Sequence, residues 1–163
     1  MTTNRPPGVW GYAFPAMSTD HTADRWYPFL WQGGGEILTR NYRQPAFHSA
    51  AGVQALQFLV DLMNKYGVTP RDVMSGTEAS LSDGFLAGKY AMQIKVGEHW
   101  AEARRQGYTR EKYMETFGAA PLPIPPGGQM ATGSGGWILA ISACIFWICR
   151  HIPALPAKVI PPL

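Results

Sequence analysis

Residues 85–100 read Phe85-Leu86-Ala87-Gly88-Lys89-Tyr90-Ala91-Met92-Gln93-Ile94-Lys95-Val96-Gly97-Glu98-His99-Trp100, and two changes of period inside them set the class of the chain. The run from Glu78 to Ala87 suits a short helix that Gly88 stops. From Tyr90 the period becomes two: Tyr90, Met92, Ile94 and Val96 alternate with Ala91, Gln93 and Lys95, the pattern of a strand. Gly97 ends it, Glu98 to Gln106 reads as the next helix, and Thr109 to Glu115 as another.

Upstream, the clearest helix runs from Ser49 to Tyr66. Ser49 is its N-cap, and Val53, Leu56, Leu59, Val60 and Met63 recur at helical spacing. Asp61 and Lys65 lie four apart on its outer face, and Gly67 terminates it. Arg25 to Gln32 reads as a helix with Tyr27, Leu30 and Trp31 on one face, Pro28 in its first turn and Gly33-Gly34-Gly35 as the stop. Pro15 to Arg25 is polar and turn-like, and Val9 to Phe14 suits a short strand. Downstream, Thr116 to Cys149 contains no charged residue. Pro121, Pro123, Pro125 and Pro126 exclude a helix from its first part, and the alternation through Ile138, Ala140 and Ser142 suits a strand buried on both faces. The succession of elements is that of an α/β protein without strict βαβ repetition.

The chain has 163 residues, 46% of them hydrophobic, enough for one domain with a core. Only 15% are charged, against 18 glycines and 14 prolines, but the 12% aromatic content excludes a linker. A net charge of +3 with no basic run longer than Arg104-Arg105 argues against a nucleic-acid partner. The N-terminal MTTNRPPGVWGYAF has no apolar signal region. Trp137 to Cys149, the longest apolar run, is too short to span a bilayer.

The residues for catalysis are thin. His21, His48, His99 and His151 have no metal-ligand spacing, Cys144 and Cys149 match no zinc or redox motif, and Gly33-Gly34-Gly35 lacks the lysine of a phosphate loop. A nucleophile elbow is absent, and choosing a carboxylate pair among 11 acids is arbitrary. No metal, no cofactor and no enzyme activity are expected. The six tryptophans are more informative. Trp26, Trp31, Trp100 and Trp137 stand beside glycines or at element ends, where a flat indole can meet the apolar face of a pyranose while neighbouring polar groups take its hydroxyls. That each is instead a large core residue stays open at this point.

Three blocks taken in order resemble a known family. The first is Trp31-Gln32-Gly33-Gly34-Gly35-Glu36-Ile37-Leu38 with the helix Gly52 to Leu62; the second is Phe85 to Ile94 with Gly97-Glu98-His99-Trp100. The third is Phe117-Gly118-Ala119-Ala120-Pro121-Leu122-Pro123 with Gly135-Gly136-Trp137-Ile138-Leu139-Ala140-Ile141-Ser142. Over residues 8–143 this succession resembles the carbohydrate-specific extracellular solute-binding proteins of ABC importers, relatives of maltose-binding protein. The resemblance implies a type II periplasmic-binding-protein fold, a two-lobed α/β clamp that closes over a sugar and delivers it to the transmembrane permease. It implies a periplasmic or lipoprotein-anchored extracellular location for the intact receptor, with this chain as one incomplete lobe. Carried onto this sequence, it makes Trp100 the first sugar-stacking residue, with Glu98 and His99 as polar contacts. Trp137 and Gly136 would face the same cleft, and Asp24 and Trp26 correspond to further cleft residues. Residues 144–163 depart from the family, with both cysteines and Pro153, Pro156, Pro161 and Pro162, and read as a frameshifted or misassembled tail.

Overall fold

The computed structural model describes residues 6–95 and 99–133. Strand β1 (Trp10–Ala13) leads into helix α1 (Asp20–Gln32) and helix α2 (Ala50–Asn64), followed by a 3-10 turn (Arg71–Met74) and helix α3 (Glu78–Leu86). Strand β2 (Tyr90–Gln93), helix α4 (His99–Arg105) and helix α5 (Arg110–Thr116) complete the order. β1 and β2 pair in parallel, Trp10 opposite Tyr90 and Ala13 opposite Gln93. A parallel pair needs a long crossover, here α1, α2 and α3. On the other side of β1 the amides of Gly11 and Tyr12 donate to the Val68 carbonyl, and the Thr69 hydroxyl donates to the Tyr12 carbonyl at 2.9 Å.

The helix, glycine stop, strand and helix read from residues 78–106 are all present. Gly88 ends α3 with φ +76°, a conformation open to glycine without a Cβ penalty. Its amide donates to the Phe85 carbonyl, and the chain turns directly into β2. Tyr90, 4% exposed, joins Ala13, Val73 and Leu81 in the core, with Trp10, Met63 and Phe85 packed around it. Its ring lies against Gly84, where a Cβ would sit 2.5 Å from the ring edge. Helix and strand therefore touch at a position that tolerates no side chain. Ser49 caps α2 as the sequence indicates, its hydroxyl accepting from the Gly52 amide; Thr77 and Thr109, not singled out in the sequence, likewise accept from the amides of Ser80 and Lys112.

Four expectations need correction. Helix α1 begins at Asp20, not Arg25, so the turn-like segment is half helix and Pro28 lies inside the helix. An interior proline costs about 3 kcal/mol; here Pro28 is itself buried, and α1 stays helical through it to Gln32. The ladder of β2 stops at Gln93 rather than running to Val96 because β1 ends at Ala13 and Pro15 soon follows, a residue with no amide to donate. Met92 is exposed, so the alternation does not make a strand buried along its length. Asp61 accepts from Gln57 at 2.7 Å, while Lys65 caps the helix and stands over the Tyr66 ring, so the anticipated Asp61–Lys65 pair does not form. The strand expected around Ile138 lies outside the described residues.

Helix α2 forms where expected, but its apolar stripe is largely uncovered. Leu59 and Ala55 are buried, whereas Val53 is 62% and Leu56 56% exposed. Capping and periodicity specify the helix; they do not supply a surface to receive the stripe.

Candidate functional site

In open parallel sheets ligands are met beyond the carboxyl ends of the strands. Here the carboxyl ends of β1 and β2 are adjacent, Ala13 opposite Gln93. The chain leaving β1 enters α1, which carries Asp24 and Trp26, and the chain leaving β2 enters α4, which begins with His99 and Trp100. Both helices that bear the candidate residues therefore issue from the same edge of the sheet.

At α4 the geometry is aromatic. Trp100 is partly buried, with its ring centroid 5.1 Å from that of Tyr113 on α5. His99 Nδ1 and Tyr113 Oη share a hydrogen bond of 2.8 Å, so Tyr113 braces both candidate residues. The imidazole is also walled by Phe85 at 5.1 Å and Phe117 at 5.4 Å between centroids. Its Nε2 is buried with no hydrogen-bond partner among the described residues. Burial pushes the His99 pKa below its ordinary 6.5; Glu102 opposes that shift and the Lys95 charge reinforces it.

Behind α4 runs an ion-pair ladder that the sequence reading missed. Arg25 on α1 binds Glu78 on α3 at 2.7 Å, Lys95 beyond β2 binds the same Glu78 oxygen at 2.9 Å, and Lys95 binds Glu102 on α4 at 3.0 Å. The Ser82 hydroxyl donates to the other Glu102 oxygen. The Arg25 side chain is 4% exposed and that of Lys95 10%. Burial by itself would raise the Glu102 pKa, but its bonds from Ser82 and Lys95 hold the carboxyl below its ordinary value. The Tyr12 hydroxyl near Arg25 and Glu78 is buried without a hydrogen-bond partner among the described residues, and burial raises its pKa. The ladder fixes α1, α3, α4 and the exit of β2 relative to one another. A faint signal of it existed: Glu78 and Ser82 lie four apart on one face of α3.

The two halves of the candidate set are not brought to one point. Trp26 lies away from the Trp100 cluster, in the wall of an apolar groove of about 800 Å3 that Phe14, Phe47, Leu56, Val60 and Met74 also line. Its ring meets Phe47 edge-on at 6.3 Å, and its indole nitrogen is buried without a partner among the described residues. Asp24 is exposed on α1. Glu98, Gly136 and Trp137 lie outside the described residues. Among the described residues no three His, Cys, Asp or Glu side chains gather as metal ligands, and no helix is long and apolar enough to cross a membrane.

Residues 2–143 match the family described as bacterial extracellular solute-binding protein. Among solved structures, the chain is similar to maltose-bound MalE3 of T. maritima, with TM-score 0.64 and 28% identity, over 76% of this chain and 31% of that one. It is also similar to an ABC transporter solute-binding protein from Thermotoga lettingae TMO bound with alpha-D-tagatose, with TM-score 0.57 and 29% identity, over 61% of this chain and 25% of that one. The chain thus spans 25% and 31% of the lengths of these two structures, and its α/β architecture is part of the solute-binding-protein fold. With the match extending over residues 2–143, the chain belongs to the bacterial extracellular solute-binding protein family.

Proposed function

We propose that this chain supplies part of one lobe of a carbohydrate receptor for ABC-transporter uptake, binding sugar without chemical transformation of it. The observation that carries the reading is Trp100: it opens the helix after the carboxyl end of β2, partly exposed and braced by Tyr113. An indole held in this way offers a stacking face to a pyranose. In this reading Trp100 stacks, His99 and Glu98 supply polar contacts, and Trp137 and Gly136 are further sugar-binding candidates. Trp26 and Asp24, on α1, belong to a more distant part of the cleft. The partners are a sugar or oligosaccharide and the transmembrane permease, and the intact receptor works in the periplasm or at the outer face of the cell. Residues 8–143 form the lobe and 144–163 a tail foreign to it; the family match ending at residue 143 supports that boundary.

Such receptors work by closure, since a ligand touching both lobes favours the closed state. One partial lobe cannot gain that free energy, so binding by this chain alone is expected to be weaker than micromolar. Isothermal titration with maltose and with tagatose measures it. Micromolar affinity for the isolated chain would overturn the one-wall reading, and a weak signal unchanged in Trp100→Ala would remove Trp100 from the site.

The uncovered stripe of α2 favours a second reading, an inert remnant that folds too loosely to bind. A cooperative thermal transition followed by circular dichroism would count against it.

A further inference from the structure

His99 stands at the junction of three helices, and its surroundings suit only one of its charge states. Its Nδ1 is paired with Tyr113 Oη on α5, and its Nε2 is buried without a partner among the described residues. Phe85 of α3 and Phe117 pack on the ring. The charged groups that act on it are Glu102 on its own helix, which favours the cation, and Lys95, which opposes it. Both are already engaged, Lys95 with Glu78 of α3 and Glu102 with Lys95 and Ser82. A neutral imidazole leaves at Nε2, at most, one uncharged polar atom unmet. An imidazolium has an N–H on both nitrogens: Tyr113 can accept from Nδ1, but the Nε2–H meets no acceptor among the described residues, and the charge sits among aromatic rings.

We propose that His99 is a pH-sensitive latch between α4 and α5: the neutral ring holds Tyr113, and through it the Trp100 indole, in the observed arrangement, and protonation releases them so that water can reach Nε2. The link to Trp100 is direct, because Tyr113 both bonds His99 and packs on Trp100 at 5.1 Å. Burial lowers the His99 pKa, so release occurs at a pH below 6.5. The latch deepens the sugar reading, since it would set when Trp100 is presented to a ligand; it rests on that reading for its use but not for its test.

The test uses the full chain labelled with 5-fluorotryptophan, whose six tryptophans give separate 19F lines; Trp100→Phe assigns the one of interest. Between about pH 7.5 and about pH 5, across the range where histidine titrates, the Trp100 line is expected to move toward the solvent-exposed position with a midpoint below 6.5. His99→Gln, which cannot take the charge, should abolish that titration. Tyr113→Phe, which keeps the ring and loses the bond, should shift the line at every pH and shrink its titration. A Trp100 line that stays still across the range, or that titrates equally in His99→Gln, overturns the latch. Should His99→Gln collapse the dispersion of all the lines, the wild-type imidazole is followed instead by its 13Cε1–H resonance, and a midpoint at or above 6.5 overturns it. No sugar is present in any arm, so failure here is separate from failure of the titration with maltose and tagatose.

Discussion

Lys95 is the place where the structure is most exposed to a single change. Its ammonium stands 2.9 Å from Glu78 and 3.0 Å from Glu102, with 10% of the side chain exposed. Lys95→Met keeps the apolar stem and deletes the charge. Glu78 retains Arg25 at 2.7 Å, so its loss is partial. Among the described residues Glu102 then retains only the Ser82 hydroxyl and becomes a carboxylate without a cation partner, with 16% of its side chain exposed. Removing one partner of a buried pair costs about 3–5 kcal/mol, and because Arg25 still serves Glu78 the lower end, about 3 kcal/mol, is expected at neutral pH. Urea unfolding followed by circular dichroism measures the loss. Lys95→Met combined with Glu102→Gln should recover more than half of it, since the second change removes the orphaned charge. Acid should narrow the gap between wild type and Lys95→Met. The wild-type Glu102 pKa lies below its ordinary 4.5, so its contribution is present above that pH and is lost as pH falls through the depressed value. In the variant the carboxyl takes its proton earlier and escapes the penalty. A loss under about 1 kcal/mol, the value of an exposed pair, or strictly additive single and double changes, would refute the claim that the ladder is a buried, coupled unit.

Other expectations follow from single contacts. Gly84→Ala places a methyl 2.5 Å from the Tyr90 ring and should cost about 1–3 kcal/mol through overpacking, read as a lowered thermal midpoint. Ser49→Ala removes the hydroxyl that accepts from the Gly52 amide at 3.3 Å and should cost about 1 kcal/mol, with Ser49→Asp restoring it. Leu56→Gln, at a position 56% exposed, should change unfolding free energy by no more than about 0.5 kcal/mol. The same change should raise the solubility limit, because it interrupts the apolar stripe; a large loss of stability would show that the stripe is covered in solution.

Much of this architecture was legible locally. Ser49, the helical spacing through Leu59 and Met63, Gly88 and the return to period two at Tyr90 each act within a few residues, where hydrogen bonding and steric preference operate without help from distant chain. The early start of α1 was hidden because Pro28 reads as a first-turn residue, whereas the folded chain carries it buried in the helix interior. Trp100 was legible as a candidate from its place after Gly97; its brace was not, since Tyr113 is thirteen residues farther on in another helix.

The ladder of Arg25, Glu78, Lys95 and Glu102 joins residues from four segments, and no pattern along one segment reports a partner in another. The same reason separates Trp26 from Trp100. Both read in sequence as aromatic groups near the ends of elements, but Trp26 falls in the middle of α1; the packing of α1 on α2 sends it into an apolar groove, and the pairing of α4 with α5 gives Trp100 its bracing ring. Local chemistry settled most helix caps and stops, but not the start of α1 or the end of β2. Long-range contact, with its desolvation and its choice of partner, decided which side chains meet and in which charge state they are held.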